Sequence, residues 1–128
     1  MPIDPTAQKM LADARASGRP NAHLLPVAIA RENFEAAFAG LAKPTVARVV
    51  DVTIPTRDGA RIRGRVYLPD SAGELPLTVY YHGGGWLMGS IDSHDVTTRL
   101  LANAAGSAVL SVDYRRGPEH RFPVAVDD

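Results

Sequence analysis

The chain has 128 residues, 45% of them hydrophobic, with 14 basic and 14 acidic side chains. That suffices for one small domain with a packed core, and the even charge gives no pull toward nucleic acid or an anionic membrane surface. Cysteine is absent, which excludes a disulfide framework and a thiolate nucleophile and fits a reducing, cytoplasmic compartment. The opening residues, Met1 to Met10, include Pro2, Asp4, Pro5 and Lys9 and lack the apolar stretch of a signal peptide. No apolar run approaches the roughly eighteen residues that span a bilayer.

The first segment, about residues 5–42, reads as two helices. Thr6 is a candidate cap for the first, Met10, Leu11 and Ala14 share a face, and Gly18-Arg19-Pro20 is a stop. The second opens at Pro26, a first-turn position, and carries Val27, Ala30, Phe34, Ala37, Phe38 and Leu41 at helical spacing. Pro44 prevents its continuation. Periodicity alone makes them a pair of helices on a core; a lid over a cleft is the alternative.

Residues 45–70 read as an antiparallel hairpin at a sheet edge. Val49 to Ile54 is one strand, Asp58-Gly59 the turn signal, and Ala60 to Leu68 the second strand. On this second strand Ile62, Gly64, Val66 and Leu68 alternate with Arg61, Arg63, Arg65 and Tyr67, so the arginine side is expected to be a solvated face. Leu77 to Tyr81 is a short apolar strand. A helix follows, with Asp92 or Ser93 as cap, Asp95 in the first turn, an inner face of Val96, Leu100, Leu101, Ala104 and Ala105, and Gly106 as stop. Ala108 to Val112 is a buried strand. Strand, helix and strand imply a right-handed crossover with parallel strands, an α/β arrangement.

Between the Leu77–Tyr81 strand and the helix lies His82-Gly83-Gly84-Gly85-Trp86. Three glycines in a row lose much backbone entropy on folding, so a close approach to the backbone is the natural reason for them. Phosphate binding, an oxyanion hole and a structural turn are the three uses to weigh. Phosphate loops run straight into a helix and carry a Lys; here no Lys follows, and Trp86 to Ser90 intervene. A histidine before the glycines and an aromatic after them match the H-G-G-G type of oxyanion loop. His94 and His120, with Asp92 or Asp95, lack metal-ligand spacing, so structural hydrogen bonding is expected of them, and no metal or cofactor is called for.

The motif His82-Gly83-Gly84-Gly85-Trp86 with Gly89-Ser90 and Asp92-Ser93-His94-Asp95 resembles the hormone-sensitive-lipase-like esterases of the α/β-hydrolase superfamily. So does Ser111-Val112-Asp113-Tyr114-Arg115, continuing through Pro118 to Pro123 and Asp127-Asp128. The resemblance spans about residues 49–128 and is loose over the N-terminal helices. It implies that Gly84 and Gly85 offer amides to an oxyanion, that Gly83 makes the turn, and that His82 anchors the loop rather than acting as a base. It also implies that Trp86 lines a substrate pocket and that residues 114–123 brace the loop from below. Gly117-Pro118 and Phe122-Pro123 are candidate cis bonds. By the same resemblance residues 1–45 form a helical cap segment and residues 46–128 the first half of the hydrolase core, with sheet order 1-2-4-3-5.

The family's G-x-S-x-G nucleophile motif is not among these residues, nor are its acid and histidine; Val124 to Asp128 form little more than one turn. The expected role is therefore the N-terminal segment of a serine carboxylesterase or lipase acting on small esters, inactive alone. Its strand ending at Tyr81 has an unpaired edge, to be covered by a complementary C-terminal segment or by self-association. The alternative is a truncated, non-catalytic module with a binding or assembly role. Arg116-Gly117 stands where the family usually has Leu-Ala, and Glu119 is the expected partner for that charge.

Overall fold

The computed structural model describes residues 2–18 and 20–128. Arg19 of the expected helix stop and Met1 of the opening segment lie outside the described residues. In chain order the elements are α1 (Pro5–Ala16), a short 3-10 turn (Ala22–Leu24), α2 (Val27–Ala39), β1 (Arg48–Pro55), β2 (Arg61–Leu68), β3 (Leu77–Tyr81), α3 (Asp95–Ala105), β4 (Ala108–Asp113) and α4 (Val124–Asp127). The strands form one sheet ordered β1-β2-β4-β3. β1 and β2 pair antiparallel with Ile54 opposite Ile62, β2 and β4 antiparallel with Val66 opposite Leu110, and β3 and β4 parallel with Tyr81 opposite Val112. The hairpin, the crossover through α3 and the strand order are those the sequence implied. Together they make the α/β arrangement of an α/β-hydrolase's N-terminal portion.

Two apolar clusters hold the sheet. On the α3 side Tyr67, Val109 and Ala102 are fully buried with Val46, Tyr80 and Leu101 around them. On the opposite side Ile62, Val112 and Tyr114 pack with Ile54, Leu110 and Ala125. β4 is buried along almost its whole length, as its unbroken apolar run suggested.

Several local expectations are corrected. Asp4, not Thr6, caps α1: its carboxylate accepts from the Thr6 amide at 2.8 Å, and Pro5 takes the first helical position. None of α1 is buried, and Met10 and Leu11 are exposed, so its apolar face finds no core. In α2 Ala30 is buried and Phe34 and Phe38 half-buried, while Leu41 lies past the helix end and is exposed. The inner face of α3 is rotated from the expected one: Asp95, Thr98 and Ala102 are buried, Val96 and Leu101 remain half-buried, and Leu100, Ala104 and Ala105 are exposed. Neither Asp92 nor Ser93 caps it; His94 precedes its first turn, and the Ser90 hydroxyl accepts from the Asp92 and Ser93 amides at 3.1 Å each.

The arginine side of β2 is wet only over its first half: Arg61 and Arg63 are exposed as expected, while Arg65 and Tyr67 are drawn inward. Tyr67 is wholly buried and donates to Asp95 Oδ1 at 2.7 Å. Arg65 is half-buried between Asp51 (2.5 Å) and Asp92 (2.7 Å), with Asp95 at 3.6 Å. Arg99 Nε reaches the same buried Asp95 carboxylate at 2.8 Å, and Lys43 lies at 3.3 Å. Burial alone would raise the Asp95 carboxyl, but the hydrogen bonds from Arg99, Tyr67 and Lys43 outweigh it and hold the group below the usual carboxylate range. Burial pushes the Tyr67 phenol up to about 12. Acidic groups from β1, α3 and the segment before α3 thus gather on Arg65, where solvent was expected.

Candidate active site

The peptide plane explains how the glycine loop aims its amides. In a trans peptide the C=O and the following N–H point in opposite directions. The Gly84 carbonyl accepts from the amides of Leu87 (3.2 Å) and Met88 (2.9 Å), so the Gly85 N–H faces away from that turn. The Gly83 carbonyl takes a hydrogen bond from His82 Nδ1 at 2.9 Å, so the Gly84 N–H faces away from the imidazole. Among the described residues no acceptor takes a hydrogen bond from either amide.

Both glycines border a cleft of about 420 Å³ that is also lined by Tyr81, His82, Trp86, Tyr114 and Val126. The loop backbone is left-handed at three successive residues: Gly84 (φ 131°), Gly85 (φ 62°) and Trp86 (φ 57°). At Gly84 a side chain has no room, because a Cβ would overlap the Met88 carbonyl oxygen and lie 2.5 Å from its carbon. At Trp86 the same conformation strains a bulky residue by about 1–2 kcal/mol. The indole is two-thirds exposed and borders a second, apolar cleft with Leu87, Pro118, Phe122 and Val126.

His82 is buried, its ring stacked on Tyr114 with centroids 4.3 Å apart. Tyr114 Oη donates to the His82 carbonyl at 2.7 Å, so the segment after β4 supports the loop from beneath. Burial lowers the His82 pKa from its ordinary value near 6.5, against the opposing hydrogen bond to Gly83, and favours a neutral ring carrying its proton on Nδ1. Its Nε2 lies 3.9 Å from Asp113 Oδ1 and has no hydrogen-bond partner among the described residues.

The two expected cis bonds, Gly117-Pro118 and Phe122-Pro123, are present. Arg116 does not pair with Glu119; its Nη1 donates to the Gly89 carbonyl, and Glu119 pairs with Arg31 of α2 at 2.7 Å. His94 sits in a ring cluster with Phe34, Phe38, Tyr80 and His82, with centroids 5.4–6.1 Å from its own. Its Nδ1 lies 3.2 Å from Ser93 Oγ. His120 is exposed; its backbone amide bonds to Arg116. No group of three His, Asp or Glu side chains among the described residues could hold a metal ion.

Arg31 and Glu35 were not singled out in the sequence, and Ser90 stood there only as part of the Gly89-Ser90 motif, yet they tie α2 to this region, with Ser90 Oγ donating to Glu35 at 2.9 Å. Their partners lie 55 or more residues away in the chain. A polar position on an otherwise apolar helix face was the one available hint.

Known proteins share this arrangement. A family model described as an alpha/beta hydrolase fold matches residues 78–128. The carboxylic ester hydrolase LipN of Mycobacterium tuberculosis is 40% identical over 98% of the chain. Over its length the chain is similar to carboxylic ester hydrolases of the α/β-hydrolase fold, in keeping with its resemblance to the hormone-sensitive-lipase-like esterases. An ethyl acetate hydrolase of Pseudomonas putida is 41% identical over 83% of the chain. A crystal structure of an esterase from Pyrobaculum calidifontis superposes on this α/β-hydrolase portion over 99% of the chain with a TM-score of 0.83 and 43% identity. The chain spans about a third of the length of these curated relatives (34% and 35%) and 40% of the Pyrobaculum chain.

Proposed function

We propose that the chain supplies the oxyanion-binding loop of a serine carboxylesterase that cleaves small carboxylic esters. The observation that carries this reading is the pair of unpartnered amides at Gly84 and Gly85 bordering one cleft. Residues 1–45 serve as a helical cap segment and residues 46–128 as half of the hydrolase core. In the reaction a serine attacks the ester carbonyl and a histidine takes its proton. The carbonyl oxygen, now anionic, is held by Gly84 N–H, Gly85 N–H and the amide following the serine. Gly83 makes the turn and His82 orients it without exchanging protons with substrate. Trp86 lines the substrate pocket between the two clefts.

The open edge of the sheet supports the partner reading. β3 bonds to β4 on one side only among the described residues, and Leu77, Val79 and Tyr81 are exposed. A strand that leads into the nucleophile turn, from a complementary C-terminal segment that brings the base farther on, fits along that edge; a second copy of this chain is the other occupant. The zero cysteine count accords with a cytoplasmic setting, and no helix among the described residues is long and apolar enough to cross a membrane.

The test is hydrolysis of p-nitrophenyl acetate. A polypeptide that joins residues 1–128 to a C-terminal hydrolase segment bearing G-x-S-x-G is expected to turn over, and the 128-residue chain alone is expected to match buffer. Turnover by the rigorously purified 128-residue chain would overturn the division of labour, and an inactive joined protein with an intact fold would overturn the esterase reading.

A further inference from the structure

We propose that Arg31, on α2, is a positioning residue for the glycine loop, so that the helix is a working part of the oxyanion site as well as its cover. This rests on the oxyanion reading of Gly84 and Gly85.

The guanidinium makes four hydrogen bonds. Nε donates to the Leu87 carbonyl at 2.7 Å, Nη2 to the Gly117 carbonyl at 2.6 Å, and Nη1 and Nη2 to the Glu119 carboxylate at 2.7 and 2.8 Å. The two carbonyls belong to the loop and to its brace. The Gly117 amide in turn donates to the Trp86 carbonyl at 2.9 Å, and the Leu87 amide donates to the Gly84 carbonyl at 3.2 Å. The bonds therefore close a ring from Gly84 through Leu87 and Arg31 to Gly117 and back to Trp86. The Gly84 carbonyl is the far end of the peptide plane that carries the Gly85 N–H. Whatever holds Leu87 in place thereby sets where that amide points.

The Glu119 pair alone does not account for this design. Its carboxylate is half exposed, and an ion pair so open to solvent contributes little by itself. The planar fork instead places donors on two carbonyls from separate loops at once, a geometry that a Lys ammonium cannot reproduce. Glu119 orients the fork. The Arg31 hydrogen bond draws its carboxyl down to about 2, so the pair stays ionised throughout the range in which esters are assayed. The left-handed backbone at Trp86 adds a reason for the restraint, because a strained loop relaxes when its ties are removed.

The experiment uses the joined, serine-bearing polypeptide with p-nitrophenyl acetate, comparing Arg31→Ala, Arg31→Lys and Glu119→Gln. Misplacing a reacting group by about 1 Å lowers rates by about 100-fold, so Arg31→Ala is expected to lose about 10- to 100-fold in kcat with KM changed by less than about threefold. Arg31→Lys stays near the alanine value, Glu119→Gln loses far less, and ethylguanidinium added to Arg31→Ala restores part of the rate. Unchanged kcat in Arg31→Ala, or full rescue by lysine, overturns the proposal. A separate readout holds if the parent protein has no esterase activity, which is the failure of the oxyanion reading: the ¹⁵N–¹H resonances of Gly84 and Gly85 in the 128-residue chain. Movement of both on Arg31→Ala, with the remaining sheet resonances in place, supports the positioning role; unmoved resonances contradict it. An Arg31→Ala protein that loses the whole sheet spectrum also counts against it, since the residue would then be supporting the fold at large.

Discussion

Gly84→Ala should cripple the oxyanion site while Gly85→Ala should not, although both retain their amides. At Gly84 the added methyl overlaps the Met88 carbonyl oxygen, lies 2.5 Å from the Met88 carbon and 3.2 Å from the Gly89 nitrogen. All three are backbone atoms, so no side-chain rotation relieves the clash and the turn must open. Opening it breaks the Leu87 and Met88 hydrogen bonds to the Gly84 carbonyl and swings the Gly85 amide with them. Loss of one oxyanion donor is worth about 2.7–4 kcal/mol, or about 100- to 1,000-fold in kcat. At Gly85 no atom lies within 4 Å of the added methyl, so the substitution meets only the left-handed backbone penalty of about 1–2 kcal/mol, which falls on folding. Its kcat should stay within about tenfold of the parent, an allowance of about 1.4 kcal/mol in the transition state. The assay is steady-state kinetics on p-nitrophenyl acetate and butyrate in the joined polypeptide. A Gly84→Ala enzyme with parental kcat, or a Gly85→Ala enzyme as impaired as Gly84→Ala, would refute the reasoning.

Asp95→Ala leaves the buried Tyr67 hydroxyl without its acceptor and removes a partner from Arg99, Arg65 and Lys43, so stability should fall by about 3–5 kcal/mol, read as a lower urea midpoint. The His82 ring is held below its ordinary pKa near 6.5, so the unfolded chain binds that proton first. The associated stability is complete above pH 6.5 and is lost as pH falls through the folded value. Urea midpoints of the parent should therefore drop between pH 7 and 5, and those of His82→Gln should drop less. Asp95 and Glu119, both held below the ordinary carboxylate range, keep their contributions over most of this window and lose them only at lower pH, as it falls from the unfolded carboxylate value through the folded one. Finally, light scattering of the 128-residue chain should show concentration-dependent association through β3, and Val79→Lys should suppress it; a parent chain monomeric at all concentrations would contradict this.

What the sequence disclosed and what it hid divide along a physical line. The apolar run Ala108–Val112, the Asp58-Gly59 turn and the glycine run each act through neighbours a few residues away, so their patterns were readable and β4, the hairpin and the loop formed as expected. Arg65 and Tyr67 looked like a wet face because their compensating groups, Asp51, Asp92 and Asp95, come from other elements. The inner face of α3 is rotated from its apolar pattern for the same reason: a buried Asp95 is tolerable only once the cations are brought to it. The site divides similarly. Gly84 and Gly85 were marked out by the His82–Trp86 motif and the resemblance it carries, whereas the tie from Arg31 to Leu87 and Gly117 exists only after folding closes 56 and 86 residues of separation.

The most direct test is a crystal structure of the joined polypeptide carrying a tetrahedral adduct, such as an alkyl phosphonate on its serine. One adduct oxygen should lie about 2.7–3.1 Å from both the Gly84 and the Gly85 nitrogens. An adduct whose oxygens are all held by other donors, with those two amides turned elsewhere, would contradict the account.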